Sequence, residues 1–400
     1  MRLFPYPGMM FGCIFGVAAF LCSAAVQAEV LFNKQAIFPL QEMHVHSSSI
    51  VELPNGDLLT VWFHGSGERT ADDVVLLGSR MKAGSDTWSP VFPMAETPNT
   101  PDCNPVLFLD NNERLWLFWI AVNANRWEQS ILKYRYTDNW GGDGAPEWEW
   151  QDVLLLKPGE EFAEALSDGL DALDYYEPLW AEYAWPYTRL LKQAAQDQVK
   201  RDIGWMTRTA LVTLDSGRIL LPLYSDGFNV SLIAYSDDEG ATWQTSDPIV
   251  GLGNIQPSLA VRKNGQIVAY MRDNGPLPKR IQVATSEDDG ETWSTAEAMD
   301  LPNPGASVAV DMLQDGRWVL VYNDAERGRH NMTISLSDDE GATWSMSRIL
   351  EADDEAMRYG YPFVIQDEDG ILHVTYSSSG PDGATIIHLA LHPDWIAGNS

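Results

Sequence analysis

The chain carries one eight-residue signature three times: Ser236-Asp-Asp-Glu-Gly-Ala-Thr-Trp243, Ser286-Glu-Asp-Asp-Gly-Glu-Thr-Trp293 and Ser337-Asp-Asp-Glu-Gly-Ala-Thr-Trp344. The copies start at 236, 286 and 337, intervals at which repeated sequence reads as the blades of a propeller. Gly240, Gly290 and Gly341 supply the positive φ of a tight turn, and the acidic side chains beside them can bond backbone amides. Each copy is therefore expected to be a hairpin turn, stapled to its own blade by the closing Trp.

Working outward, strand-like runs recur in six sets. Inner strands are expected at Ser49 to Glu52, Val106 to Leu109, Ala210 to Thr213, Ser258 to Val261, Val308 to Met312 and Phe363 to Gln366. Most lead through a short turn, Pro54-Asn-Gly56, Asp215-Ser-Gly217, Lys263-Asn-Gly265, Gln314-Asp-Gly316 or Glu368-Asp-Gly370, with Asp110-Asn-Asn-Glu113 as a degenerate sixth. The predicted fold is all-β, a six-bladed β-propeller, with Val30 to Asn33 completing the last blade. Glu160 to Lys200 breaks the pattern with helical spacing and reads as an insertion. It could cap the central pocket with Trp180, Tyr183, Trp185 and Tyr187, or cover a blade edge.

The first 28 residues hold one charge, Arg2, an apolar run from Met9 to Val26 and the ending Ala25-Val-Gln-Ala28. This reads as a cleavable export signal, with residues 29–400 forming one propeller domain in the periplasm or outside the cell. A membrane anchor is the alternative, but no later segment is apolar enough to span a bilayer, so no membrane insertion is expected after cleavage. Cleavage removes Cys13 and Cys22 and leaves Cys103 without a disulfide partner. The 57 acidic against 26 basic residues give a net charge of −31, a field that repels nucleic acid. An anionic ligand would require arginines gathered locally.

In a propeller, the loops and inner-strand starts at one end of the axis form the pocket. Counting back from the hairpin turns finds polar residues at that level: His46, Asp102 and Asn104, Arg208, Gln256, Asn303 with Ser307, and Tyr361.

The repeated signature resembles the Asp box of sialidases and related propellers, and the resemblance covers nearly all of the chain after residue 28. It implies a Tyr nucleophile, a Glu that deprotonates it, an Asp acid/base and three arginines on a substrate carboxylate. Tyr361 matches the Tyr, with Tyr359 as a neighbour. Arg272 matches the second arginine and Arg329 the third, with Arg327 able to exchange with it. The acid falls at Asp72 or Asp73, of which Asp72 is preferred.

Where the family has its first arginine, this chain has His46-Ser-Ser. Gln256 stands at the activating Glu, and Ser377 where a supporting Glu is expected. A neutral Gln cannot take the Tyr361 proton. The replacement chemistry expected here uses Gln256 to orient a water, His46 or His44 as base and Asp72 as acid, with His64 a further base. Arg208, Asn104 and His44 are added to the ligand-binding candidates.

The leading expectation is an exported exo-acting glycoside hydrolase acting on a glycan with a terminal acidic sugar. A lyase using His46, Tyr361 and Arg272 on a uronate, or a glycan-binding propeller without turnover, are the other readings. In either enzymatic case Arg272 and Arg329 meet a carboxylate, unless the abundant acidic residues absorb them in structural ion pairs. No cofactor is implied: the glycines lie in hairpins, and His44 and His46 find no third metal ligand by spacing.

Overall fold

The computed structural model describes Met1 and residues 31–173, 187–353 and 356–398. The expected signal segment and Trp180, Tyr183 and Trp185 therefore lie outside the described residues. Six four-stranded antiparallel sheets form the blades. Their inner strands are His44–Glu52, Asp102–Leu109, Val212–Thr213, Asn254–Val261, Ala309–Met312 and Arg358–Gln366. Each second strand is buried along almost its whole length, as in Leu115–Val122 and Ile219–Ser225, because it is sandwiched between neighbouring blades.

The hairpins between inner and second strands follow the turn signals. In the degenerate second-blade turn, Glu113 takes the left-handed φ of 61° that glycine takes elsewhere. Asp110 compensates by accepting the backbone N–H groups of Asn112 and Arg114. The ring closes where Phe32–Ala36 pairs antiparallel with the last strand, Phe32 opposite Leu391 and Ala36 opposite Ile387. The closing strand thus runs a few residues beyond the stretch expected from sequence, and it occupies the outer edge of the sixth blade.

The three signatures connect the third and fourth strands of blades three to five. In the first, Ser236 Oγ accepts the Gly240 N–H at 2.9 Å, and Asp238 accepts both the N–H and hydroxyl of Thr242 at 2.8 and 2.6 Å. The Trp does not staple the turn to its own blade. Trp243 meets Phe118 of the second blade edge-on at 5.9 Å, and Trp344 meets Tyr270 of the fourth at 5.7 Å. Gly240, at φ 83°, lies so close to Trp116 that a Cβ would stand 2.8 Å from the indole. The first and third turns instead rivet their blades to the preceding one through these aromatic residues, and Gly290 of the second lies against Leu220 of the third blade.

The insertion contains helices Glu161–Ala172, Tyr187–Ala195 and Gln198–Asp202. Phe162 packs against Trp205 and Phe228 at 5.6 and 5.1 Å, and Gly169 abuts Val250. Among the described residues the insertion covers the flank of the third blade and contributes no wall to the central cavities.

Candidate active site

Four inner strands carry a register shift at one level: between His46 and Ser49, Cys103 and Val106, Ile255 and Ser258, and Gly360 and Phe363. Each bulge holds a non-glycine residue at positive φ: Ser47 at 59°, Asn104 at 50°, Gln256 at 60° and Tyr361 at 55°. Proline follows Asn104, Gln256 and Tyr361, which suits a bulge because it donates no ladder hydrogen bond. The strain of these conformations turns polar side chains toward the axis.

Tyr361 is the centre of the resulting constellation. Its ring lies 4.0 Å from that of His46, and its Oη accepts from Gln256 Nε2 at 3.2 Å and Arg272 Nη1 at 3.3 Å. The guanidiniums of Arg208 and Arg329 stand 4.7 and 5.5 Å from the ring centroid. Arg208 starts on the third blade and crosses the axis to donate to Ser48 O of the first and Pro362 O of the sixth, at 3.4 and 2.8 Å. Burial pulls its guanidinium down to about 10.

Two cavities flank Tyr361. The larger, about 460 Å³, is walled by His44, His46, Glu68, Arg329, Arg358 and Ser377 among others. The smaller, about 190 Å³, is walled chiefly by Arg69, Asp226, Gln256, Arg272, Asn274 and the Tyr361 face. Among the described residues neither Arg272, Arg329 nor Arg358 has a carboxylate within 4 Å, although Arg69 is paired with Asp226 at 3.1 Å. The local gathering of cations expected from the net charge is present, and among the described residues Arg272 and Arg329 are not taken up in structural ion pairs.

Glu68 was not legible as a site residue. The loop after Leu58–Gly65 folds back through bonds from Thr70 and Ala71 to Gly67 O, pointing Glu68 and Arg69 inward. Glu68 Oε2 lies 3.4 Å from His44 Nε2. Burial alone would raise the Glu68 carboxyl, but the His44 contact and neighbouring positive charge hold it down to about 2. His46 is driven by burial to about 3, so it stands neutral against Tyr361, its Nδ1 2.8 Å from Ser377 Oγ. Such an imidazole is a weak proton acceptor, which moves the base and acid candidates to the His44–Glu68 pair.

Other expected site residues lie elsewhere. Asp72 accepts from Asn125 at 2.7 Å on the exposed surface, and Asp73 ties the loop's neck through Ser66 N and Oγ at 2.9 and 2.6 Å. The fold-back that inserts Glu68 is what leaves both aspartates outside the cavity. His64 faces Asp73 rather than the cavity, and burial lowers it. Asn104 donates to Tyr224 Oη at 3.0 Å below the site, and Asp102 is held by Thr97 and Trp119. Asn303 caps the turn to Ala306 and Arg327 is exposed away from both cavities, whereas Tyr359 packs on Tyr376 and also lines the larger cavity. Arg208 lies beneath Tyr361 and lines neither cavity.

Six blades with an arginine-walled cavity around an axial tyrosine define a propeller of the sialidase-like class. The chain belongs to the BNR repeat-like domain family, whose pattern matches residues 56–169 and 185–374. It is 26% identical over 180 residues to a sialidase of Bacteroides fragilis, covering 42% of this chain and 32% of that protein. It is also 26% identical over 195 residues to the anhydrosialidase of Macrobdella decora, covering 44% and 25%. The chain thus spans about a third or less of these relatives' lengths. In fold it is similar to a leech intramolecular trans-sialidase complexed with 2,7-anhydro-Neu5Ac, with a TM-score of 0.67 at 14% identity over 92% of this chain and 71% of that one. A Dyadobacter fermentans protein of unknown function gives 0.66 at 18% identity, covering 90% and 97%.

Proposed function

We propose that this chain is an exported glycoside hydrolase that removes a terminal acidic sugar from a glycan, without binding nucleic acid or inserting in a membrane. The observation that carries the reading is that Arg272 and Arg329, on the cavity walls of so acidic a chain, have no carboxylate partner among the described residues. A buried or half-buried cation is costly unless paired, so the site is built for an anion brought by the ligand. Guanidinium forks suit a carboxylate.

In this reading the sugar's carboxylate meets Arg272 and Arg329 beside Tyr361. The His44–Glu68 pair holds the proton that passes to the glycosidic oxygen as the bond from that oxygen to the anomeric carbon breaks. Water adds its oxygen to that carbon and its proton returns to the pair. Gln256 offers no base to Tyr361, so direct attack by water is the expected course, with the Tyr361 hydroxyl oxygen facing the positive charge that builds at the anomeric carbon and the arginines holding the sugar's carboxylate in place.

The test is proton NMR of the protein with sialyllactose and, separately, with a terminal uronide. Release of free acidic sugar is the expected result, and the anomer seen first separates water attack from a Tyr361 intermediate. An ultraviolet-absorbing unsaturated product would instead identify a lyase. Binding of either ligand with no turnover would support a glycan-binding propeller, a reading favoured by one feature: neither partner of Tyr361 Oη can take its proton.

A further inference from the structure

The carboxylate proposed above needs Arg272 and Arg329, yet the larger cavity carries a third cation. Arg358 opens the inner strand of the sixth blade, opposite Ser379, and is exposed on the cavity wall. It has no ion pair among the described residues. Burial first, and then the like charges of Arg272 and Arg358, lower the proton affinity of Arg329, opposed by Tyr361 and Glu68. Arg329 directs Nη2 to Gly305 O at 2.6 Å, which anchors it on the cavity wall it shares with Arg358. The cavity holding Arg358 has more than twice the volume of the one holding Arg272, so there is room beyond the group seated at Tyr361. The carboxylate in that cavity, Glu68, lies beside His44 on the first-blade wall.

We infer that the site recognises a doubly anionic glycan: the terminal sugar's carboxylate between Arg272 and Arg329, and a second anionic group, on the same or the adjoining sugar, at Arg358. The second group is a carboxylate of a neighbouring acidic sugar or a sulfate ester, which share the charge and acceptor oxygens that a guanidinium fork takes. This rests on the acidic-sugar reading above. A singly charged ligand would leave Arg358 unmatched, and repulsion among the three guanidiniums makes a second anion more favourable than it would be at an isolated surface arginine.

Calorimetry of the full chain at low salt compares 3′-sialyllactose with α2,8-disialyllactose and with a sulfated sialyllactose, and galacturonic acid with digalacturonic acid. The doubly charged member of a pair is expected to bind about tenfold tighter, and Arg358→Gln to remove that advantage while leaving the singly charged ligand unchanged. Arg358→Lys should retain part of it. The disialyl and sulfated ligands tell the two sources of the second charge apart. Equal affinity within all three comparisons, or an advantage that survives Arg358→Gln, overturns the second-anion site and leaves the acidic-sugar reading standing. Failure of every acidic ligand to bind overturns both.

Discussion

At the scale of single residues, Tyr361 shows how a family's chemistry can be kept in outline while its proton path is rearranged. The ring sits among His46, Arg208 and Arg329, and the hydroxyl is bonded by Gln256 and Arg272. Arg272→Gln is expected to weaken acidic-ligand binding about tenfold or more and shift the melting temperature little, because no structural ion pair is lost. A matching loss of stability would return Arg272 to the scaffold. Gln256→Glu restores a base beside Tyr361: a rise in turnover would identify the missing base as the limiting element, and abolished activity would give Gln256 a role of its own. Glu68→Gln should suppress turnover with binding retained, whereas Asp72→Asn should leave rates unchanged. His46, Arg208, Gln256 and Tyr361 were legible because their distance from the hairpin turns fixes their level on the axis, and Arg272 and Arg329 through the family resemblance. Glu68 was not, since its inward aim depends on hydrogen bonds to Gly67 O that no spacing rule announces.

Among the elements, the Asp-box turns and their acidic side chains bonding backbone amides were legible, while the Ser236 and Thr242 hydroxyl bonds that close the turn came from the structure. What they grip was not legible, because the contact belongs to the preceding blade, more than a hundred residues away for Trp243 and Phe118. Trp243→Ala is therefore expected to cost about 2 kcal/mol by opening the seam between the second and third blades, with acidic-ligand affinity unchanged in the folded fraction. Denaturant melts and calorimetry on one preparation check both halves. The bulges were hidden for a related reason: a polar residue before Pro reads as a turn or strand start, and only the paired second strand reveals that it is an interruption within a ladder.

Across the whole molecule, the blade count and ring closure followed from repeat spacing, while the helical insertion's place on the third blade required the fold. Stability should also carry an acid signature. His388, buried between His373 and Trp88, is pushed by burial and then by His373 to about 3. Its folded value lies below its unfolded one, so the stability it confers is present above pH 6.5 and lost as pH falls toward 3. The cost of His388→Gln should accordingly shrink by up to about 1.4 kcal/mol per pH unit below about 6. Parallel melts of the two proteins from pH 7.5 to 4 would show this, and a constant gap would refute it. The pairing of Phe32–Ala36 with Gly383–Leu391 sets a schedule as well as a shape. Phe32–Ala36 has no partner until the final hairpin is made, so the ring stays open, and its seams exposed to proteases, until that hairpin is synthesised. A chain stopped at residue 380 should be digested as readily as an unfolded one, although five of its six blades are fully encoded.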